Sequence, residues 1–177
     1  ISGKHVRAAR MSYVGEPGWE ITMKAENAAT IYMALVNAGA RPAGLYAQTS
    51  MRIEKGFCAM GHELDSDVSP VDTGLDFATR KEGGFIGAEA LAERRKIKGR
   101  SSLISLKFQD EKAVPLGHEP IYYDGDIIGQ TSSCAFGYRI GKPVALGKVH
   151  NRMSSGTAVK VDIARQLFDA TLFTCPL

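Results

Sequence analysis

Apolar and polar positions follow two rhythms along this chain, helical in the first half and alternating in the second. Near the start, Trp19, Ile21 and Met23 alternate with Glu20, Thr22 and Lys24, the period of a half-buried strand. A strand over 5–14 precedes it, and the turn between them is Gly15-Glu16-Pro17-Gly18, with two glycines free to take positive φ and a proline whose φ is fixed. Ile31, Leu35 and Ala38 form a stripe at helical spacing, with Asn27 placed to cap and Gly39 to stop, which predicts a helix over 27–38. A second helix is expected over 45–55, stopped by Gly56, and a third over 87–96. Short apolar runs at 57–60 and 75–79 predict strands on either side of a polar stretch at 62–70. After Gly99 the pattern is all strand, over 103–108, 121–124, 127–131, 144–150, 158–163 and 167–173, with Asp124-Gly125 as a hairpin turn. The expected fold class is therefore an α+β module over 1–98 followed by an all-β barrel over 99–177.

Composition narrows this little. A chain of 177 residues with 44% hydrophobic residues can build one large core or two small ones. It contains no apolar run of about 18 residues, so no transmembrane helix and no membrane partner are expected. The opening Ile1-Ser2-Gly3-Lys4-His5 carries no hydrophobic segment that would read as a signal peptide, and the missing initiator methionine suggests a piece of a longer chain. Cys58, Cys134 and Cys175 are far apart and odd in number. Free thiols in a reducing, cytoplasmic location are the expectation, with Cys58 buried in the strand after Gly56.

The net charge of +3 does not imply nucleic acid. Arg94, Arg95, Lys96, Lys98 and Arg100 do cluster, as cations do at a helix C-terminus running into a linker. An acidic polyglutamyl tail on a ligand would also suit them, whereas nucleic acid would call for interleaved aromatics that are absent. The four histidines lack metal-ligand spacing, and His62-Glu63-Leu64-Asp65 reads as a polar turn. No G-x-G-x-x-G follows a strand, so flavin chemistry would have to lie outside this chain.

The hairpin holds the best candidate chemistry. Tyr13 on the first strand can reach Glu20 on the second, and a carboxylate beside an aromatic ring suits a flat heterocycle with paired N–H donors. An ordinary hairpin with an exposed glutamate fits the same spacing. Gln48 and Arg52, on the second helix, could line a site, while Arg52 and Glu54 could equally make structural ion pairs near the helix end.

The run Tyr13-Val14-Gly15-Glu16-Pro17-Gly18-Trp19-Glu20 resembles the Y-x-G-E-x-G-x-E signature of the aminomethyltransferase (glycine-cleavage T-protein) superfamily. Its tryptophan form is similar to the folate-binding C-terminal part of dimethylglycine and sarcosine dehydrogenases. Arg52-Ile53-Glu54-Lys55-Gly56 resembles the family's R-x-E-K-G helix end, Pro70-Val71-Asp72-Thr73-Gly74-Leu75 its P-x-[DE]-x-G-L turn, and Phe85-Ile86-Gly87 its F-I-G helix start. Pro115-Leu116-Gly117-His118-Glu119-Pro120 through Ser133 resembles the opening of its C-terminal barrel.

The resemblance implies a tetrahydrofolate-binding module in which Glu20 binds the pterin N–H groups and Tyr13 orients the ring. It implies one-carbon transfer to tetrahydrofolate from an N-methylated amine, within a parent chain that supplies the N-terminal remainder and, in dehydrogenases, an FAD domain. Two departures stand out. Gln48 occupies the place of an arginine in the T-protein A-R-D-S-L-R run, and the superfamily's catalytic aspartate, which lies upstream, has no match here. The chain is thus expected to hold no catalytic residue and to be inactive alone. A stand-alone folate-dependent methyltransferase or demethylase, and a non-catalytic folate-binding protein, remain as alternatives.

Overall fold

The computed structural model describes residues 1–97, 99–174 and 177. Six strands in its second half close a barrel: β3 (Ser102–Phe108), β4 (Pro120–Tyr123), β5 (Asp126–Gly137), β6 (Lys142–Val149), β7 (Thr157–Ile163) and β8 (Gln166–Phe173). They run in the order β3-β6-β5-β4-β7-β8, every pair antiparallel. Ile104, Leu106 and Phe108 alternate along β3 into the barrel and meet Ile121, Val149, Val161 and Leu172 in a fully enclosed apolar core. Period-2 patterning places all six strands, although β5 runs on to Gly137, well past the expected 127–131, through a register shift that interrupts its alternation.

The first half has less regular structure. It comprises β1 (Arg7–Ala9), β2 (Glu20–Thr22), α1 (Ala28–Asn37), α2 (Leu45–Glu54) and α3 (Ala88–Lys96). The helices stop where expected, with Gly39 at φ 99 and Gly56 at φ 67. Asn27 makes no side-chain capping bond, because a 3₁₀ turn over Ala25–Asn27 leads straight into α1.

Two predicted strands do not form. Residues 57–59 are irregular, with only an isolated bridge between Met60 and Leu64, and the 75–79 run folds as a 3₁₀ turn at Asp76–Ala78. Short apolar runs predict strands only when a partner edge exists, and here none is adjacent. The first hairpin also differs: β1 and β2 pair over three residues each, Ala9 opposite Glu20, and 10–19 is a wide loop.

Helix α2 lies against the outside of the barrel. Its fully buried Ile53 packs with Val144 and Leu146 of β6. That cover explains why residues 143–147 of β6 are buried on both faces instead of alternating.

Candidate functional site

The R-x-E-K-G end of α2 meets the hairpin loop, the 57–64 loop and the barrel. Ser50 donates to the Phe136 carbonyl at 2.6 Å. The buried Glu54 accepts the amides of Arg139 and Ile140 with Oε1, at 3.0 and 3.1 Å, which ties the helix end to the β5–β6 turn. The Lys55 side chain lies across Gly15, where a Cβ would fall on its methylenes, and Gly15 holds φ 70. The conformational freedom of glycine is thus used twice at that position, for dihedral and for space.

Arg52 is buried and makes three side-chain hydrogen bonds. Its Nη1 donates to Glu63 Oε2 at 2.9 Å and to the Phe57 carbonyl at 3.0 Å, and its Nη2 donates to Ser133 Oγ at 2.7 Å. Glu63 is fully buried, and also accepts the Ala59 amide at 2.9 Å and the Ser132 hydroxyl at 2.6 Å. Burial pushes the Glu63 carboxyl up, but the Ser132 hydroxyl, the Ala59 amide and the Arg52 charge outweigh it and hold it below the ordinary carboxylate value. Consecutive strand residues ordinarily point to opposite faces. A register shift between Thr131 and Ser133 breaks that alternation, and Ser132 and Ser133 both reach the Arg52–Glu63 pair. The ion pair expected near the helix end therefore forms between Arg52 and a loop glutamate, while Glu54 serves backbone amides.

Tyr13 sits in the 10–19 loop, not on a strand facing Glu20. Its hydroxyl donates to the Cys58 carbonyl at 2.7 Å, and its ring stacks on Phe57 with centroids 6.4 Å apart and planes at 19°. Partial burial, opposed by Arg52 and aided by the charge of Glu63, raises its pKa. The residue remains 40% exposed. Glu20 and its neighbour Trp19 are exposed, and the Glu20 side chain makes no hydrogen bond or ion pair among the described residues. Trp19, whose alternation with Glu20 would turn it to a core, lies in the loop just before β2 and is 63% exposed. Gln48 is exposed on α2, one turn before Arg52.

A cavity of about 740 Å³ opens beside Tyr13, lined by Lys55, Phe57, Asp72, Phe77 and Arg100 among others, but not by Glu20. Asp72 is buried at its edge; Oδ2 takes Arg94 Nε at 3.0 Å, while Oδ1 has no hydrogen bond and lies 3.7 Å from Arg100 Nε. The basic cluster is largely neutralised internally: Arg94 and Arg100 serve Asp72, Arg95 pairs with Asp76 at 2.7 Å and Lys96 with Glu93 at 2.6 Å. Lys98 lies outside the described residues.

Cys58 is half-buried in the loop and not in a strand, and Cys134 is half-buried in β5. Both are free, and burial is the main cause that pushes their thiols up to about 11 and about 12. Cys175 lies outside the described residues. Sequence reading missed Glu63, Ser132 and Ser133, since none shares a period or a spacing with Arg52.

Residues 1–83 match the family model of the GCVT N-terminal domain, and 102–177 that of the glycine cleavage T-protein C-terminal barrel domain. Mouse mitochondrial dimethylglycine dehydrogenase is 34% identical over 100% of this chain and 21% of its own length. Human mitochondrial sarcosine dehydrogenase is 34% identical over 93% of this chain and 18% of its own. The aminomethyltransferase of Bacillus subtilis is 30% identical over 99% of this chain, which spans 50% of that relative. The crystal structure of glycine cleavage system aminomethyltransferase T from Bartonella henselae superposes with a TM-score of 0.87 at 27% identity, over 96% of this chain and 48% of that one.

These relatives overturn the cytoplasmic expectation, because the dimethylglycine and sarcosine dehydrogenases are mitochondrial. Free thiols separate reducing from oxidising compartments and carry nothing that tells one reducing compartment from another.

Proposed function

The chain belongs to the glycine-cleavage T-protein (aminomethyltransferase) superfamily, and from that premise we propose that it is the folate-binding C-terminal portion of a dimethylglycine/sarcosine dehydrogenase-type enzyme. In the whole protein it would receive the methylene unit released by oxidative demethylation of an N-methylated glycine and pass it to tetrahydrofolate. FAD, where used, would sit in a separate domain, and the aspartate acting on the amine would come from upstream.

The observation that carries this reading is Glu20, an exposed carboxylate without a partner among the described residues, on the hairpin that bears the family signature. Both its oxygens are open to the paired N–H groups of a pterin. Tyr13 offers a partly exposed ring face while its hydroxyl is already committed to Cys58, so its contribution would be stacking. The neighbouring cavity is within the size range of ligand clefts, and its lining combines aromatic faces with the cations Lys55 and Arg100.

The test is tetrahydrofolate titration by calorimetry on the full-length protein. Glu20→Gln keeps one acceptor but replaces the other with a donor and removes the charge. A loss of about 2 kcal/mol, roughly thirtyfold in affinity, is expected, with amine oxidation largely intact. Tyr13→Phe should be milder. Unchanged affinity in Glu20→Gln would leave the hairpin a purely structural element.

A stand-alone folate-dependent methyltransferase is the second reading, favoured by the match to half of the Bacillus subtilis aminomethyltransferase. The Gly18-Trp19-Glu20 form of the signature and the departure at Gln48 favour the dehydrogenase branch. A nucleotide-binding G-x-G-x-x-G domain ahead of Ile1 in the parent gene would decide between them.

A further inference from the structure

Three consecutive residues, Phe57, Cys58 and Ala59, carry Tyr13, and no helix or strand holds them in place. Backbone bonds hold the two ends of this segment, the Phe57 amide to the Arg52 carbonyl at 2.9 Å and the Leu64 amide to the Ala59 carbonyl at 3.1 Å, and side chains add further anchors. The Phe57 carbonyl accepts from Arg52 Nη1 at 3.0 Å, and the Ala59 amide donates to Glu63 Oε2 at 2.9 Å. Between these two anchors, the Cys58 carbonyl receives the Tyr13 hydroxyl at 2.7 Å. Arg52 and Glu63 are joined to each other at 2.9 Å, so both anchors belong to one rigid frame. The other Glu63 oxygen accepts Ser132 Oγ at 2.6 Å, and Arg52 Nη2 reaches Ser133 Oγ at 2.7 Å, both on the β5 bulge. The frame therefore runs from the barrel to the aromatic ring beside the cavity.

We propose that Glu63 is a positioning residue for folate binding, fixing the 57–59 backbone against the barrel so that Tyr13 presents its ring at one orientation. This rests on the reading of Tyr13 as a pterin-stacking residue, and it adds a residue that does not itself touch the ligand. A single carboxylate that accepts donors from α2, the 57–59 segment and β5 can transmit a change in any one of them to the others.

The test uses the full-length protein with tetrahydrofolate as probe, and the variants Glu63→Gln, Ser132→Ala, Tyr13→Phe and the double variant Ser132→Ala/Tyr13→Phe. Affinity is measured by calorimetry. Independently of folate, the environment of Tyr13 is read from its ¹³Cζ resonance, assigned by its disappearance in Tyr13→Phe. Ser132→Ala removes one hydrogen bond and no charge, and serves where Glu63→Gln fails to fold. Ser132→Ala should weaken folate binding roughly fivefold and move the Tyr13 resonance. In the Tyr13→Phe background, where the hydroxyl link is gone, the same substitution should cost less than about twofold. A full fivefold penalty in that background, or an unmoved Tyr13 resonance, would overturn the proposal. If the resonance moves while neither Tyr13→Phe nor Ser132→Ala alters folate affinity, the positioning frame stands and the folate reading of the site falls.

Discussion

Replacing Arg52 with methionine puts the weight of the interdomain network to measurement. Methionine fills similar volume, so little cavity cost is added. What is lost is the charge facing Glu63, together with donors to the Phe57 carbonyl and Ser133 Oγ at 3.0 and 2.7 Å. Both partners of the pair are buried, with side-chain exposures of 4% and 0%. Removing one member of such a pair typically costs about 3–5 kcal/mol, because the remaining charge stays buried. The Ser132 and Ala59 bonds continue to serve Glu63 and keep the expectation near the middle, about 4 kcal/mol. Arg52→Lys keeps the charge but cannot reach three acceptors at once, and should cost about half as much.

Urea unfolding of the 177-residue chain followed by far-ultraviolet circular dichroism is the assay, with a midpoint shift of about 2 M for the methionine variant at unchanged slope. The pH dependence follows from Glu63, whose folded value lies below its ordinary 4.5. Its stabilisation is complete above 4.5 and disappears as pH falls through the lower folded value. The gap between wild type and Arg52→Met should therefore be widest at neutral pH and narrow under acid. A gap below about 1 kcal/mol at neutral pH, or one that does not change on acidification, would refute the buried-pair reasoning.

Other substitutions and probes follow from the same geometry. Gly129→Ala should destabilise the barrel by about 3 kcal/mol, since its Cβ would collide with the Lys148 carbonyl and lie 2.7 Å from Val149 Cα, whereas Gly39→Ala meets open space and should cost about 1 kcal/mol from its φ of 99 alone; thermal unfolding of both variants compares them. Cys58 and Cys134 should react slowly with a thiol reagent at pH 8 in the native state, with thiols near 11 and 12, and at once in denaturant without reductant; a disulfide between them would contradict the free thiols seen here. Trypsin should cut first after Lys96, where Lys96, Ile97 and Gly99 are exposed, leaving two resistant pieces that stay associated through α2 until denaturant is added; uniform resistance, or separation without denaturant, would argue against that boundary or that interface.

What could be read in advance was whatever depends on neighbours along the chain. The barrel strands followed from period-2 alternation and the Asp124-Gly125 turn, and the helix stops from Gly39 and Gly56, because those signals are local backbone chemistry. The motif blocks placed the hairpin and the R-x-E-K-G helix end correctly in order. The site's frame was not legible. Arg52 meets Glu63 11 residues away and Ser133 81 residues away, separations that no periodicity encodes. Tyr13 turned from Glu20 to Cys58, 45 residues on, because the wide 10–19 loop freed it from the strand pairing that would have faced it across the hairpin. The bulge in β5 decided that Ser132 and Ser133 act together, and α2 covering Val144 and Leu146 decided that the middle of β6 has no outer polar face. Local pattern sets which elements form; which buried charge finds which partner is fixed only when packing removes both from water.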